Sequence, residues 1–184
     1  MSEGVGMRIM PAYVGEGVRP GSSDFLNDIG QISDPGVVNL SPFGGPIFPA
    51  AWRGRYPHLM PIDAAIWGRF LDKHGSLFLG FQYDVTLGEG AQSLPGMSDK
   101  DKFLLWSLTV KRADCLCIRR DGLLLVEVKP RLGMAAVGQV VSYYILWQRQ
   151  YGGPPAVRVA VVCEQSERDL QFVCERLGVD VFVV

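Results

Sequence analysis

The fold is decided by the stretch Ala113-Asp-Cys-Leu-Cys-Ile-Arg-Arg-Asp-Gly-Leu-Leu-Leu-Val-Glu-Val-Lys129. Two apolar runs flank the dipeptide Asp121-Gly122, which favours a two-residue hairpin turn because both of its residues accept a positive φ. The stretch therefore predicts two antiparallel strands joined by a tight turn. Three charged residues, Asp114, Glu127 and Lys129, fall near the open end of this hairpin.

The predicted turn fixes which residues face each other. With Asp121-Gly122 as the loop, Asp114 faces Lys129. Side chains alternate between the two faces of a strand, and directly opposed residues share a face. The three charged side chains are therefore predicted to lie on one face of the hairpin, and a slip of one residue would separate them. The opposite face would carry Cys115, Cys117, Val126 and Val128.

Two carboxylates beside an ammonium group form a candidate active site. Mg²⁺ prefers oxygen ligands and is typically held by one or two carboxylates together with water and substrate phosphate. A bound metal ion lowers the pKa of its water, and a nearby lysine stabilises charge that develops on the phosphate. The alternative is an ordinary Glu–Lys pair at a solvated strand end. The apolar run from Leu123 to Val128 argues against it, because such a run predicts a strand covered on both faces.

Asp114, followed after twelve residues by Glu127-Val-Lys129, resembles the signature of the PD-(D/E)XK nuclease superfamily. Restriction endonucleases, Holliday-junction resolvases, RecB-like exonucleases, TnsA-type endonucleases and some tailed-phage proteins belong to it. The resemblance implies a DNA substrate and a Mg²⁺ or Mn²⁺ cofactor bound by Asp114 and Glu127, with Lys129 assisting the attacking water. Ala113 stands where the superfamily often has proline, a position that is loosely held.

The superfamily core has the order α-β-β-β-α-β, with the aspartate on its second strand and Glu-x-Lys on its third. Apolar periodicity and turn residues predict the same order here with one extra α-β unit. We therefore expect an α/β, restriction-endonuclease-like fold with a mixed sheet flanked by helices. The predicted elements are a helix over 60–74, strands over 76–87, 103–119 and 123–129, a loop over 88–102, a helix over 134–151, a strand over 157–163, a helix over 166–177 capped by Ser166, and a strand over 179–184.

Two residues on the predicted helix after the Glu-x-Lys strand are further candidates. Gln139 and Tyr143 are four residues apart, so they lie on one helix face. In RecB-like members a Gln-x-x-x-Tyr at this place faces the site and the DNA. The resemblance thus implies a catalytic role for Gln139 and a DNA contact for Tyr143. The alternative is a locally bonded Gln139 and a Tyr143 that belongs to the core.

Asp63 is a candidate third metal ligand, because many superfamily members carry an acidic residue on the first helix. An acidic residue in a first helical turn is also favoured by the helix dipole, which leaves a bland alternative open. Asp84, near the end of the first predicted strand, is a second candidate for the same role. His58 and His74 flank the first predicted helix, and we interpret both as surface residues.

The charge of the chain gives no overall footprint for nucleic acid, since the formal net charge is −1. Local basic residues at the predicted site, Lys111, Arg112 and Arg131, are candidate phosphate contacts. The near-neutral charge argues against tight autonomous binding to DNA. It favours a protein that works within a larger assembly, or one that has kept the fold and lost the chemistry.

The first 59 residues differ from the rest, because they hold half of the 22 glycine and 12 proline residues. Phe43, Ile47, Phe48, Trp52 and Tyr56 distinguish this segment from a disordered tail, which usually lacks aromatic and aliphatic residues. We expect an extended arm over 1–59, packed on the core or on a partner subunit, and a nuclease-like domain over 60–184. The arm supports an alternative function: an assembly protein on a nuclease fold, such as a tailed-phage head-completion or neck component.

The four cysteines predict neither a zinc site nor an iron–sulfur cluster, because their spacing fits neither. No apolar run is long enough to span a membrane and no leader sequence is recognisable. We therefore expect an intracellular protein, or a virion component under the assembly alternative. The sequence leaves open whether DNA is cut at ends or internally.

Overall fold

Six strands form one mixed sheet in chain order in the computed structural model, which describes residues 43–152 and 156–184. The first, second, third and fourth strands pair antiparallel in succession. The fourth, fifth and sixth strands run parallel to one another. The predicted mixed α/β fold is confirmed. The strands are β1 (Phe48–Pro49), β2 (Gly80–Leu87), β3 (Lys111–Arg119), β4 (Gly122–Arg131), β5 (Val157–Gln165) and β6 (Val179–Val183).

Four helices accompany the sheet in the described residues, and two of them cover its opposite faces. The helices are α1 (Pro61–His74), α2 (Asp99–Thr109), α3 (Met134–Tyr151) and α4 (Arg168–Leu177), and a 3₁₀ turn follows α1 at Gly75–Leu77. The α1-side core contains Ile66, Trp67, Phe70, Cys115, Cys117, Val126 and Val128. The α3-side core contains Leu116, Ile118, Leu123, Leu125, Val140, Tyr143 and Trp147. None of the helices in the described ranges is both long and apolar enough to cross a membrane.

Local sequence explains most of the helix ends. Pro61 is the first residue of α1, where its missing N–H is not needed. Gly178 ends α4 in the left-handed conformation at φ 70°, as a glycine C-cap does. The predicted cap at Ser166 is wrong, because α4 begins at Arg168 and Glu167 holds the N-cap position.

The main error of the sequence prediction concerns the residues before β3. Residues 99–102 were assigned to a loop and 103–109 to a strand, but Asp99–Thr109 is helix α2. Ser98 starts this helix, because its side chain accepts a hydrogen bond from the backbone N–H of Asp101. Acidic residues in the first turn add a favourable interaction with the helix dipole.

The predicted register of the β3–β4 hairpin is wrong by two residues. Arg119 pairs with Gly122, so the turn consists of Arg120 and Asp121. Gly122 is the first residue of β4, and only glycine fits there, because a Cβ atom would lie 2.6 Å from the carbonyl oxygen of Ala156. A shift of two residues preserves the face of every side chain, whereas a shift of one would not. The predicted common face of Cys115, Cys117, Val126 and Val128 is accordingly confirmed, since all four lie in the α1-side core.

The described part of the predicted arm packs on the chain's own sheet. Ile47 is buried in the α3-side core, together with Phe43, whose ring lies 4.6 Å from that of Trp147. Phe48 in β1 pairs with Phe81, and Tyr56 packs against the α1-side core. The remainder of the predicted arm, residues 1–42, lies outside the described residues.

Candidate active site

The candidate site lies where strands β3 and β4 separate. The paired ladder ends at Cys115 and Val126, so the next residues, Asp114 and Glu127, are level with each other on neighbouring strands. Beyond this point Oδ2 of Asp114 accepts a hydrogen bond from the backbone N–H of Val128 at 2.7 Å. The Asp114 carboxylate thus takes over as acceptor where the backbone ladder stops.

Glu127 is fixed from two sides. It is only 1% exposed, and its Oε1 lies 2.7 Å from the ammonium nitrogen of Lys129. Its Oε2 lies 3.0 Å from the hydroxyl oxygen of Tyr143 on α3. A buried carboxylate is stable only when it is paired and hydrogen-bonded, and these two partners supply that compensation.

Tyr143 lies behind Glu127 rather than on the surface. It is 3% exposed, and its hydroxyl oxygen also lies 2.8 Å from the carbonyl oxygen of Arg112, so its single proton is shared between this acceptor and Glu127. Gln139 donates to the Tyr143 oxygen from Nε2 at 3.3 Å, which shows that the two share a helix face as predicted. The predicted DNA contact of Tyr143 stays a prediction, and in this structure its buried hydroxyl group bonds to the protein.

The two central carboxylates repel each other in this environment. Burial is the largest cause that raises the pKa of Asp114 to about 7, and the charge of Glu127 raises it further against the Val128 N–H and Lys129. Burial alone would lower the pKa of Lys129, but its hydrogen bond and charge interaction with Glu127 outweigh this and raise it. Lys129 therefore favours its charged form, and Asp114 keeps its proton to a higher pH than an ordinary aspartate does.

Asp63 lies on α1, which covers the other face of the sheet, and it acts on the site through its charge. It lies in the first turn of α1 and interacts electrostatically with both Asp114 and Lys129. Burial raises its pKa while the Lys129 charge lowers it. The structure thus brings Asp63 towards the pair of strand carboxylates.

Asp84 is engaged elsewhere. Its Oδ2 lies 2.7 Å from Arg112 Nη1 and 3.1 Å from His58 Nε2. It adopts a positive φ of 56°, and it falls between the β2–β3 pairs Tyr83–Cys115 and Val85–Ala113. The first pair belongs to the α1-side core and the second to the α3-side core. Residues two apart in a strand normally share a face, so the alternation is interrupted at this level. Asp84 is therefore a salt-bridge partner at an irregularity of the sheet.

The basic candidates and the second histidine differ in their availability. Arg131 is exposed on β4 and reaches Gln165. Lys111 is exposed at the start of β3 and donates to the carbonyl oxygen of Thr109. Arg112 forms a salt bridge with Asp84. The ring of His74 packs at a tilt against the rings of Phe70 and Phe182.

One ion pair at the edge of the site escaped the sequence analysis. Glu164 follows Cys163, which is the parallel partner of Lys129, and it forms a salt bridge with Arg69 of α1. Neither residue belongs to a recognisable motif. Only the packing of α1 on the sheet brings them together.

The residues of the site fit a divalent metal ion in their chemistry. In the described part of the chain, no three His, Cys, Asp or Glu side chains form a ready cluster of ligands. Asp114 and Glu127 are nevertheless two neighbouring carboxylates whose mutual repulsion a cation would relieve, and Mg²⁺ needs no more than one or two of them. In this structure the ammonium group of Lys129, instead of a metal ion, is bonded to Oε1 of Glu127.

Comparison with known proteins finds likeness in structure only. No protein-family model matches the chain, and no curated protein sequence does. A repair endonuclease from Pyrococcus abyssi is similar, with 14% sequence identity and a TM-score of 0.41 over 72% of this chain and 49% of that chain. EndoMS in a complex with double-stranded DNA is similar as well, with 17% identity and a TM-score of 0.41 over 72% of this chain and 48% of that one.

A protein from Vibrio cholerae is also similar, with 9% identity and a TM-score of 0.37 over 66% of this chain and 29% of its own. The chain spans about half the length of the two endonuclease structures. At these identities the likeness concerns the fold alone. The resemblance to the nuclease superfamily therefore stays a prediction from the sequence.

Proposed function

We propose that the chain is a divalent-metal-dependent DNA endonuclease that hydrolyses phosphodiester bonds at Asp114, Glu127 and Lys129. One observation carries this proposal: two carboxylates lie level on neighbouring strands, and an ammonium group is 2.7 Å from one of them. Asp114 and Glu127 would hold Mg²⁺ or Mn²⁺, with Asp63 as the candidate third ligand. When bound, such an ion supplies a water of lowered pKa and neutralises phosphate charge.

Lys129 is the residue that would act on the substrate directly. It is about one-third exposed, so its ammonium group is accessible from solvent while it remains bonded to Glu127. A phosphate brought to the two carboxylates would meet this cation, which stabilises the charge that develops on the phosphate oxygens. Arg131 lies two residues further along β4 and supplies an exposed cation for a neighbouring phosphate.

The buried partners would hold the carboxylates in position. Tyr143 fixes one oxygen of Glu127, and Gln139 in turn bonds to the Tyr143 hydroxyl group. We therefore assign Gln139 a positioning role through Tyr143. Such indirect contacts commonly change metal affinity or activity by about 10–100-fold.

The assembly alternative gains no support from the described part of the arm. Residues 43–59 pack on the chain's own cores instead of projecting from them. A structural protein would also have no need for a buried pair of carboxylates, because burying charge is costly even where partners compensate for it. The nuclease is therefore the function that the geometry supports best.

The test is cleavage of supercoiled plasmid by purified protein in Mg²⁺ or Mn²⁺, with a chelator as the blank. We expect metal-dependent nicking that Lys129→Ala and Glu127→Gln abolish. Lys73→Ala, in the last turn of α1, is the matched lysine control and should cleave like the wild type. Cleavage that persists in Lys129→Ala would expose a contaminating nuclease. Absence of cleavage by folded wild-type protein would overturn the proposal.

A further inference from the structure

Asp84 on β2 lies opposite Asp114, one of the two strand carboxylates of the site. The β2–β3 ladder pairs Tyr83 with Cys115 just before this level and resumes at Ala113 just beyond it. Asp84 has a φ of 56°, in the left-handed region that residues other than glycine rarely adopt. The regular pairing of β2 and β3 is therefore interrupted at the level of the candidate site.

The interruption changes the face of the side chains along β2. Phe81, before Asp84, lies in the α1-side core, whereas Leu87, after it, lies in the α3-side core. Residues separated by six positions in a regular strand would share a face. A left-handed residue accounts for the change, because it rotates the following peptide plane away from extended geometry. Local interruptions of a ladder commonly re-aim a side chain beside an active site.

The Asp114 carboxylate lies in the gap between β3 and β4 rather than on a face of the sheet. Its Oδ2 accepts from the backbone N–H of Val128 at 2.7 Å. The N–H groups of a strand point along the sheet towards the neighbouring strand, whereas side chains in a regular strand stand roughly perpendicular to it. The direction of the Asp114 side chain thus depends on the interruption of the ladder at this level.

The strained conformation of Asp84 is held by contacts with two other residues. Its Oδ2 lies 2.7 Å from Nη1 of Arg112 and 3.1 Å from Nε2 of His58. His58 has a positive φ of 61°, so the two non-glycine residues of positive φ in the described part of the chain contact each other. Strained backbone persists only where surrounding contacts hold it, and it is concentrated at functional sites.

We propose that Asp84 is a positioning residue whose left-handed backbone directs the Asp114 carboxylate into the plane of the sheet, level with Glu127. Asp84 touches neither metal nor substrate in this role and acts through Asp114. The salt bridge to Arg112 helps to hold the strained conformation, but the backbone conformation is what directs Asp114. The consequence for metal binding rests on the proposed function, whereas the direction of the Asp114 side chain does not.

The experiment measures amide hydrogen exchange by NMR in the full metal-free chain, with the Val128 N–H as the reporter. Asp84→Val should speed exchange at Val128 at least about tenfold, because a β-branched residue resists a positive φ and the N–H then loses its carboxylate acceptor. Asp114→Ala, which removes that acceptor directly, should have the same effect. Thr86→Val on the same strand is the matched control and should leave the exchange unchanged.

Two further variants separate the backbone conformation from the salt bridge. Asp84→Gly and Asp84→Asn remove the negative charge, but glycine and asparagine both tolerate a positive φ. Both should therefore keep Val128 protected. Circular dichroism checks that each variant is folded, and Asp84→Ala replaces Asp84→Val if the valine variant is not.

Calorimetric titration with Mn²⁺ measures the consequence for the proposed metal site. We expect Asp84→Val to bind Mn²⁺ at least about tenfold more weakly than the wild type, and Asp84→Gly to bind it about as tightly. Unchanged exchange at Val128 in the folded Asp84→Val or Asp84→Ala chain would overturn the proposal. So would equal losses in the glycine and valine variants, which would assign the effect to the carboxylate. A wild-type chain without Mn²⁺ affinity would overturn the proposed nuclease instead, and the exchange rates would still decide the role of Asp84.

Discussion

The hydroxyl oxygen of Tyr143 lies 3.0 Å from Oε2 of Glu127, so a buried helix residue supports the central carboxylate from behind. The same hydroxyl group lies 2.8 Å from the carbonyl oxygen of Arg112 and accepts a hydrogen bond from Gln139. Burial and the negative charge of Glu127 both raise the Tyr143 pKa, so the phenol stays neutral. Tyr143 therefore ties β3 and β4 to α3 at the level of the site.

Tyr143→Phe should weaken both stability and activity, because it leaves the buried oxygen of Glu127 without one of its partners. We expect a loss of about 1–3 kcal/mol in the free energy of unfolding, measured by urea denaturation. Cleavage should fall by about 10–100-fold. Tyr144→Phe is the matched control, since Tyr144 is 43% exposed, and it should change neither quantity. Unchanged stability in Tyr143→Phe would contradict the observed hydrogen bonds.

The stability of the metal-free protein should fall as the pH rises from about 5 to 8. Burial and Glu127 raise the pKa of Asp114 to about 7 from an ordinary value of 3.8, so the folded state binds a proton more tightly than the unfolded state does. A raised pKa contributes stability that is complete at low pH and is lost as the pH passes through about 7.

Asp114→Asn isolates this effect, because its amide oxygen still accepts from Val128 while the charge is gone. In a chelator, the melting temperature of this variant should exceed that of the wild type by several degrees at pH 8, and the two should converge towards pH 5. The variant should be inactive. If the melting temperatures of the wild type and the variant changed with pH in the same way, the pKa of Asp114 would not be raised in the folded state.

Lys129→Met should abolish cleavage while the site still binds metal. The ammonium group now lies on Oε1 of Glu127, where it competes with a cation. Calorimetric titration with Mn²⁺ should therefore give an affinity equal to or higher than that of the wild type. The metal-free variant should lose about 1–2 kcal/mol of stability, a modest amount because Lys129 is partly solvated. Loss of Mn²⁺ binding would instead make Lys129 essential to the shape of the site.

Gly122→Ala should destabilise the fold, because its Cβ atom would lie 2.6 Å from the carbonyl oxygen of Ala156 and the residue has a φ of 153°. We expect a loss of at least about 2 kcal/mol in thermal or urea unfolding. Gly138→Ala is the matched control. Gly138 lies inside α3 with open space around it, so the change should stabilise the protein by up to about 1 kcal/mol. Equal effects of the two substitutions would refute the close approach at Gly122.

The sequence predicted the central hairpin and most elements around it because local rules govern them. Alternation placed Cys115 and Val126 on the face opposite Glu127, and both lie in the α1-side core. The bounds of α3 agree with the prediction, since glycine residues flank it. The prediction of a strand from residue 103 is wrong, because a run of apolar residues is typical of a buried strand as well as of a helix. The signal for the helix is the N-cap at Ser98.

The sequence by itself determined that Asp114, Glu127 and Lys129 lie at the same end of one hairpin, because two strands joined by a tight turn bring residues at similar distances from the turn to the same level. Only the tertiary structure decided the rest. The turn at Arg120 and Asp121 gives the register, and the packing of α3 brings the Tyr143 hydroxyl group to Glu127. The packing of α1 brings the charge of Asp63 within range of Asp114. These contacts join residues far apart in the chain, and burial, which raises the pKa of Asp114, exists only once both helices have packed.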